Sequence, residues 1–381
     1  MARKRCNPLE HLFLIDVRKR LINNTPYDVY ELASHFRPDQ VEVIDLRFHP
    51  AHSALPASKM VSLFLETAGT WMCFDWDPAR FRKRLDFLSA RYSELTVVGP
   101  QARALRELMG HEFRVVESLD FQKAFFGSAR EDRTRVSSVW LQRRLHRNYN
   151  GEYFDGKRMQ LAPTFSICYS MNCPLRCSFC YYADAVSNAK PAFACMLQDI
   201  EWIWNHGYRH FYFMDPNFLL STTEFSELKH FYERSGHTFS YYCQVSPNFL
   251  SETRLRQLVA SGCQGMVIGI ENRQRIVDKG SIAEARERIA LARALGMMPM
   301  LFFMIDEENE IEDLIEGFVG VPFRYTVINH AFASDRSLGG IVAGFEGKSR
   351  LSQRRRDLIT RLQQKPDYLG HVEDHLQAST V

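Results

Sequence analysis

The sequence predicts an α/β protein built as two blocks, each a parallel sheet joined by helical crossovers. Three observations predict it. The chain has 381 residues, against roughly 150 for a common domain, so two domains or one large barrel can be filled. Its 45% apolar and 24% charged residues are ordinary globular composition and exclude a largely disordered chain. Short β-type runs alternate with helical patterns on both sides of a polar, irregular stretch. The expected division is 1–120, a doubly wound domain; 121–160, a linker; 161–330, a partial (β/α)6 barrel; and 331–381, a C-terminal extension.

In the first block, residues 12–17 (Leu-Phe-Leu-Ile-Asp-Val) and 41–46 (Val-Glu-Val-Ile-Asp-Leu) read as strands. Residues 26–36 between them read as a helix with Thr25 as N-cap. Residues 58–68 look helical from Met60, Leu63 and Leu65, and 70–75 (Thr-Trp-Met-Cys-Phe-Asp) look strand-like. A helix over 78–92 carries Phe81, Leu85 and Leu88 on one stripe. Strands at 95–98 and 113–116 then flank a helix at 101–109. Five strands alternating with helices imply a parallel, doubly wound sheet. No Gly-x-Gly-x-x-Gly or Walker loop follows any of them, which argues against a phosphate cradle.

The second block repeats the alternation. Strand-like runs are 164–169, 210–214, 239–245, 265–270, 300–305 and 325–328, with helices at 193–206, 222–234, 251–261, 281–295 and 310–318. Six strands and five helices in this order fit a partial (β/α)6 barrel. The tail from Ser349, with Arg354, Arg355 and Arg356, reads as one amphipathic helix.

Charge narrows the partners. Lys+Arg 48 less Asp+Glu 45 gives +3, which supplies no reason to invoke nucleic acid or an anionic membrane. The start, Met-Ala-Arg-Lys-Arg-Cys, is charged, but the apolar run behind it is only Leu12 to Ile15, too short for a signal peptide. The longest apolar stretch, 297–305, contains Pro299 and falls short of the ~20 residues a spanning helix needs. The expected setting is cytoplasmic and reducing, where thiols point to metal or redox chemistry before disulfides.

The nine cysteines are unevenly spread, four of them between Cys168 and Cys180. Cys173-Pro-Leu-Arg-Cys177-Ser-Phe-Cys180 is a Cys-x3-Cys-x2-Cys run in the loop after the first barrel strand. Loops at the C-terminal ends of parallel strands are where barrel sites are built. Three thiolates on one loop can wrap one iron–sulfur cluster; such clusters normally take four cysteines, so one iron is left open. Zinc needs a fourth donor, for which Cys168 is the candidate although it sits inside the strand. Cys6, Cys73, Cys168, Cys195, Cys243 and Cys263 read as buried or surface thiols rather than ligands. His49 and His52 have no third donor and read as no metal site.

This loop resembles the signature of the radical S-adenosylmethionine (SAM) superfamily, Cys-x3-Cys-x-aromatic-Cys, with Phe179 as the aromatic. The resemblance implies a [4Fe-4S] cluster on Cys173, Cys177 and Cys180 whose open iron chelates SAM. It also implies reduction by an electron donor such as flavodoxin or ferredoxin, cleavage of SAM to methionine and a 5′-deoxyadenosyl radical, and hydrogen abstraction from a small-molecule substrate. The cofactors carry the radical chemistry; the protein orients them and excludes water.

The resemblance runs on to about residue 320. Residues 213–218 (Phe-Met-Asp-Pro-Asn-Phe) end the second barrel strand, where the superfamily binds the SAM amino group. The Gly-Gly-Glu of many members is missing there, and backbone carbonyls of Met214 and Asp215 are carried over instead; the bland reading of Asp215 is a turn or cap before the helix near Thr222. Residues 262–272 and Asp278-Lys279-Gly280 are similar to the fourth-strand region of the cobalamin-associated branch. Glu271 is implied there as a SAM ribose or methionine contact, and Gln244 faces the same rim. After strand five the branch's Gly-x-Pro-Gly-Glu is replaced by residues 305–310, Ile-Asp-Glu-Glu-Asn-Glu. The first block is similar in layout to that branch's Rossmann-like cobalamin-binding domain, with residues 95–100 at its glycine turn. The Asp-x-His-x-x-Gly motif that gives cobalt a lower axial His is absent, as it is from some members. With cobalamin, methyl transfer to carbon is the expected outcome. Without it, the expectation is a radical rearrangement or cyclisation in specialised metabolism. A reading of another class is a non-catalytic binding protein with a structural metal in the same loop.

Overall fold

The computed structural model describes residues 9–15, 39–46, 55–64, 78–98, 112–116, 164–167, 169–170, 173–175, 192–205, 208–213, 215–236, 239–270, 281–305, 323–329 and 368–371, with scattered single positions. The chain divides into two compact units, one holding the described residues up to Val116 and the other those from Thr164 onward.

The first unit is a five-stranded parallel sheet of β1 (Leu9–Ile15), β2 (Val41–Asp45), β3 (Ser58–Phe64), β4 (Leu95–Val98) and β5 (Arg114–Val116). Its order is β2-β1-β3-β4-β5. The order reverses between β1 and β3, the switch point outside whose C-terminal strand ends doubly wound sheets bind ligands. Leu12, Phe13, Leu14, Val61, Leu63 and Val97 are fully buried, as strands covered on both faces require. Helix α1 (Pro78–Arg91) buries Leu85 and Leu88 of the expected stripe. His11 on β1 is buried, stacked on Phe13, with its Nε2 2.9 Å from Ser62 Oγ on β3.

β3 corrects the sequence reading. Residues 58–68 were expected to be helical, but Ser58–Phe64 is the central strand, paired with β1 and β4. Val61, Ser62, Leu63 and Phe64 are buried in succession, a two-sided burial without the period-2 alternation that marks a half-exposed strand. The strand expected at 70–75 lies outside the described residues.

The second unit is a seven-stranded, wholly parallel sheet running β12-β11-β10-β9-β8-β7-β6. Its strands are β6 (Thr164–Ile167), β7 (His210–Phe213), β8 (Ser240–Gln244), β9 (Cys263–Ile270), β10 (Met298–Ile305), β11 (Phe323–Asn329) and β12 (Tyr368–His371). The crossovers include α2 (Phe193–Asn205), α3 (Thr222–Arg234), α4 (Glu252–Ala260) and α5 (Ile282–Ala294). β6 to β11 are the six strands read from the sequence. β12 was not: the tail was expected as one amphipathic helix. Asp357, Thr360 and Arg361 are helical, but Tyr368–His371 adds an edge strand to β11. A four-residue run whose order comes from its neighbour leaves little local signal.

Sequence-local chemistry sets the helix starts. Ser221 and Ser281 form capping boxes with Glu224 and Glu284, and Ser251 caps α4 by accepting from Arg254 N. One face of β7 and β8 carries Phe211, Phe213, Tyr241 and Cys243, all buried. This face meets the helix layer: Tyr241 Oη lies 2.8 Å from Ser261 Oγ at the end of α4, and Phe211 packs edge-on to Phe239, which also contacts Phe231 and Tyr232 of α3. His210, Tyr212, Tyr242 and Gln244 alternate onto the opposite face and are only partly buried. The turn from α4 into β9 needs Gly262, which has φ +96° and would put a Cβ 2.8 Å from the Tyr232 ring. Among the described residues no helix is long and apolar enough to cross a membrane.

Candidate functional site

The C-terminal ends of β6, β7 and β8 converge because the three strands are parallel and adjacent in the sheet. Three segments leave these ends: the loop that begins at Tyr169 and Ser170 and reaches Cys173, the loop 215–220, and residues 245–250. Buried polar side chains tie the three together.

Asp215 is the first tie. It is 1% exposed, and its two carboxylate oxygens accept from consecutive backbone amides, Tyr169 N at 3.0 Å and Ser170 N at 2.6 Å. A carboxylate so placed turns the chain out of β6 and sets where the cysteine loop begins. It is neither a cap nor a simple turn residue: the cap of α3 is Ser221. Tyr169 is held a second time by its hydroxyl, which donates to Glu224 Oε1 at 2.6 Å. The other oxygen of Glu224 accepts from Ser221 N, so the capping box of α3 also anchors the loop. Burial, and then the Glu224 carboxylate, push the Tyr169 hydroxyl well above its ordinary pKa, so it stays a donor.

Asn217 is the second tie, also 1% exposed. Its Oδ1 accepts from Ser246 N at 3.1 Å, which fixes the amide's orientation. Its Nδ2 then faces Ser246 Oγ at 3.4 Å and the Cys173 sulfur at 4.0 Å. Next to it, Phe218 N donates to Gln244 O at 2.7 Å, and the Phe218 ring stacks on Phe213 with centroids 4.4 Å apart. The loop after β7 is thereby locked to the end of β8.

Gln244 donates from Nε2 to Tyr212 Oη at 2.6 Å. Both lie on the sheet face opposite the helices, so the partly buried Gln244 is held by its neighbour strand. Of the residues singled out from sequence, Cys173, Asp215 and Gln244 meet at one sheet edge. Cys177, Phe179, Cys180, Met214 and Glu271 lie outside the described residues. Cys243 and Cys263 are core thiols 4.0 Å apart, and burial raises the Cys243 thiol above its usual range. Sequence reasoning did not single out Tyr169, Tyr212, Asn217 or Ser246. The available signal was a Pro-containing loop directly after a strand end, with two short polar side chains at Asp215 and Asn217.

The donor set at this edge fits an iron–sulfur cluster. Cys173 carries a free, partly buried thiol, and two further thiols follow at the spacing that lets one loop wrap one cluster. The buried amide donor of Asn217 faces the sulfur, as expected beside a ligating thiolate rather than an inert core thiol.

No family model and no curated protein sequence matches the chain. Solved structures do. The radical S-adenosylmethionine methyltransferase TsrM from Kitasatospora setae, with cobalamin and a [4Fe-4S] cluster bound, matches at a TM-score of 0.60 and 15% identity. The match covers 86% of this chain and 77% of that one. The same enzyme with tryptophan substrate and the SAM analogue aza-SAM bound matches at 0.60 and 15%, over 84% and 73% of the two chains. The chain shares the fold of this methyltransferase. The doubly wound unit followed by a parallel partial barrel, read from the sequence, is thus borne out as architecture. The cysteine signature and the fold are separate observations, one of residue spacing within a loop and one of backbone path, and they coincide.

Proposed function

We propose that this protein is a radical SAM enzyme acting on a small-molecule substrate, with cobalamin-dependent C-methylation as its reaction. One observation carries the reading: the Cys173 thiol stands at the C-terminal edge of the parallel sheet, on a loop fixed by Asp215 and faced by Asn217. Cys173, Cys177 and Cys180 hold the [4Fe-4S] cluster, which supplies one-electron reduction of bound SAM. Phe179 precedes the last ligand. The backbone carbonyls of Met214 and Asp215 receive the SAM amino group. Because the Asp215 side chain is engaged by Tyr169 N and Ser170 N, only its carbonyl is left for that task. Glu271 and Gln244 contact the rest of SAM, Gln244 with its Nε2 already committed to Tyr212.

Cobalamin is assigned to the first unit, outside the C-terminal ends of β1 and β3 where the strand order reverses. The first unit's match in layout to a cobalamin-bound neighbour supports this. A low-potential donor such as flavodoxin or ferredoxin supplies the electron.

Anaerobic reconstitution followed by Mössbauer and absorption spectra tests the cluster. A four-iron cluster is expected in the native chain and its loss in Cys177→Ala; survival of the cluster in that variant overturns the reading. Incubation with SAM and dithionite is expected to give 5′-deoxyadenosine. Retention of added cobalamin through gel filtration decides between methyl transfer and a cobalamin-independent rearrangement or cyclisation.

A further inference from the structure

The geometry points to Asn217 as a positioning residue that raises the reduction potential of the cluster through a hydrogen bond from Nδ2 to the Cys173 sulfur. This rests on the proposed cluster at Cys173, Cys177 and Cys180, and assigns a role to a residue outside the cysteine motif. A ligating thiolate that accepts an N–H loses some electron density, so the reduced cluster, which carries one more negative charge, is favoured.

Three features make Asn217 suited to this. Its side chain is almost wholly buried, so the interaction is little screened by water. Its orientation is set from the other end, because Oδ1 accepts from the backbone amide of Ser246 and so turns Nδ2 outward. Its Nδ2 has two acceptors in reach, Ser246 Oγ at 3.4 Å and Cys173 Sγ at 4.0 Å. A sulfur that becomes a thiolate is the stronger acceptor of the two, since hydrogen bonds to an ionised partner are about twice as strong as neutral ones. The amide carries two N–H groups, so Ser246 Oγ takes one while the other is directed to the Cys173 sulfur.

Ser246, which shares the amide but not the sulfur, supplies the control for the test. The full chain is reconstituted anaerobically, and the one-electron midpoint is measured by mediated titration with dithionite, followed by EPR of the reduced cluster. Asn217→Asp keeps the acceptor for Ser246 N and removes the donor; Asn217→Ala removes both. Both are expected to reduce about tenfold less of the cluster at a given ambient potential, a shift of about 59 mV downward for one electron. Ser246→Ala keeps the backbone amide that orients Asn217 and leaves the N–H to the sulfur in place, so its midpoint is expected to stay. A merely structural role for Asn217 would lower cluster content without shifting the midpoint of the cluster that forms. Asn217→Asp with native iron content and an unshifted midpoint overturns the inference, as does a Ser246→Ala midpoint that falls with the others. If the native chain takes up no four-iron cluster, the functional reading itself fails.

Discussion

Removing the Asp215 carboxylate is expected to unfix the start of the cysteine loop at a calculable cost. The side chain is 1% exposed and accepts from two backbone amides that are themselves buried against the end of β6. Asp215→Ala leaves both N–H groups without their acceptor, and a buried donor left unsatisfied costs about 1–3 kcal/mol. Two such groups give about 2–6 kcal/mol, a large share of the roughly 5–15 kcal/mol by which a domain is stable. Asp215→Asn presents one acceptor oxygen and one NH2, so it keeps one bond and is expected to cost about half as much. The assay is hydrogen exchange on the full chain, read at Tyr169 and Ser170, with β3 of the first unit as the control. Protection at 169–170 should fall steeply in Asp215→Ala, less in Asp215→Asn, and iron bound after reconstitution should fall in the same order. Unchanged protection of these two amides in Asp215→Ala refutes the reasoning.

Three further outcomes follow from the same structure. His11 is held neutral in the first unit by burial, and then by the positive charge of Arg114, with its pKa lowered from 6.5 to about 4. The unfolded chain therefore binds a proton that the folded one refuses, so stability is full above pH 6.5, falls through that window and levels near pH 4. At about 1.36 kcal/mol per unit the loss is about 3 kcal/mol; hydrogen exchange at β1 and β3 should show it, and an equal acid slope in His11→Gln would count against it. Gly262 and Gly296 both have positive φ, but a Cβ on Gly262 meets the Tyr232 ring while one on Gly296 meets nothing within 4 Å. Gly296→Ala should cost about 1–2 kcal/mol from backbone strain alone, and Gly262→Ala clearly more, by chemical denaturation; equal costs would refute the contact argument. Tyr169→Phe removes the hydroxyl from Glu224 and is expected to cost about 1–2 kcal/mol, with Ser221 still capping α3; a helix that frays at Ser221 in this variant would contradict the division of Glu224 between its two oxygens.

How much of this was legible in the sequence depended on whether the signal was local. The capping serines and the 3–4 spacing of Phe193, Met196, Ile200 and Ile203 in α2 are local, and the boundaries of α1 to α5 came out within one residue; the helices expected at 26–36, 101–109 and 310–318 lie largely outside the described residues. The cysteine loop was legible for the same reason: ligands for one cluster must be close along the chain. β3 failed because a central strand buried on both faces has no alternation, and Met60 and Leu63, three residues apart, also suit one face of a helix. β12 failed because its order is lent by β11.

The supporting polar residues follow from a different logic, and it bears on how the site is built. Asp215 and Asn217 belong to the loop after β7, yet what they hold lies 46 and 44 residues earlier, at Tyr169 and Cys173. Their partners are backbone amides and a sulfur, groups that every sequence offers at many places. No spacing rule can therefore find them. What the sequence does carry is the residue type: two short side chains that can reach a neighbouring strand end without a long flexible stem. Buried there, each must be satisfied, and each is satisfied by fixing a different segment, Asp215 the start of the cysteine loop and Asn217 the turn after β8. The loop that supplies the first thiol is consequently positioned by the loop after β7 and by the cap of α3, so a change at Asp215 or Glu224 reaches Cys173 without touching it, while Asn217 meets its sulfur directly.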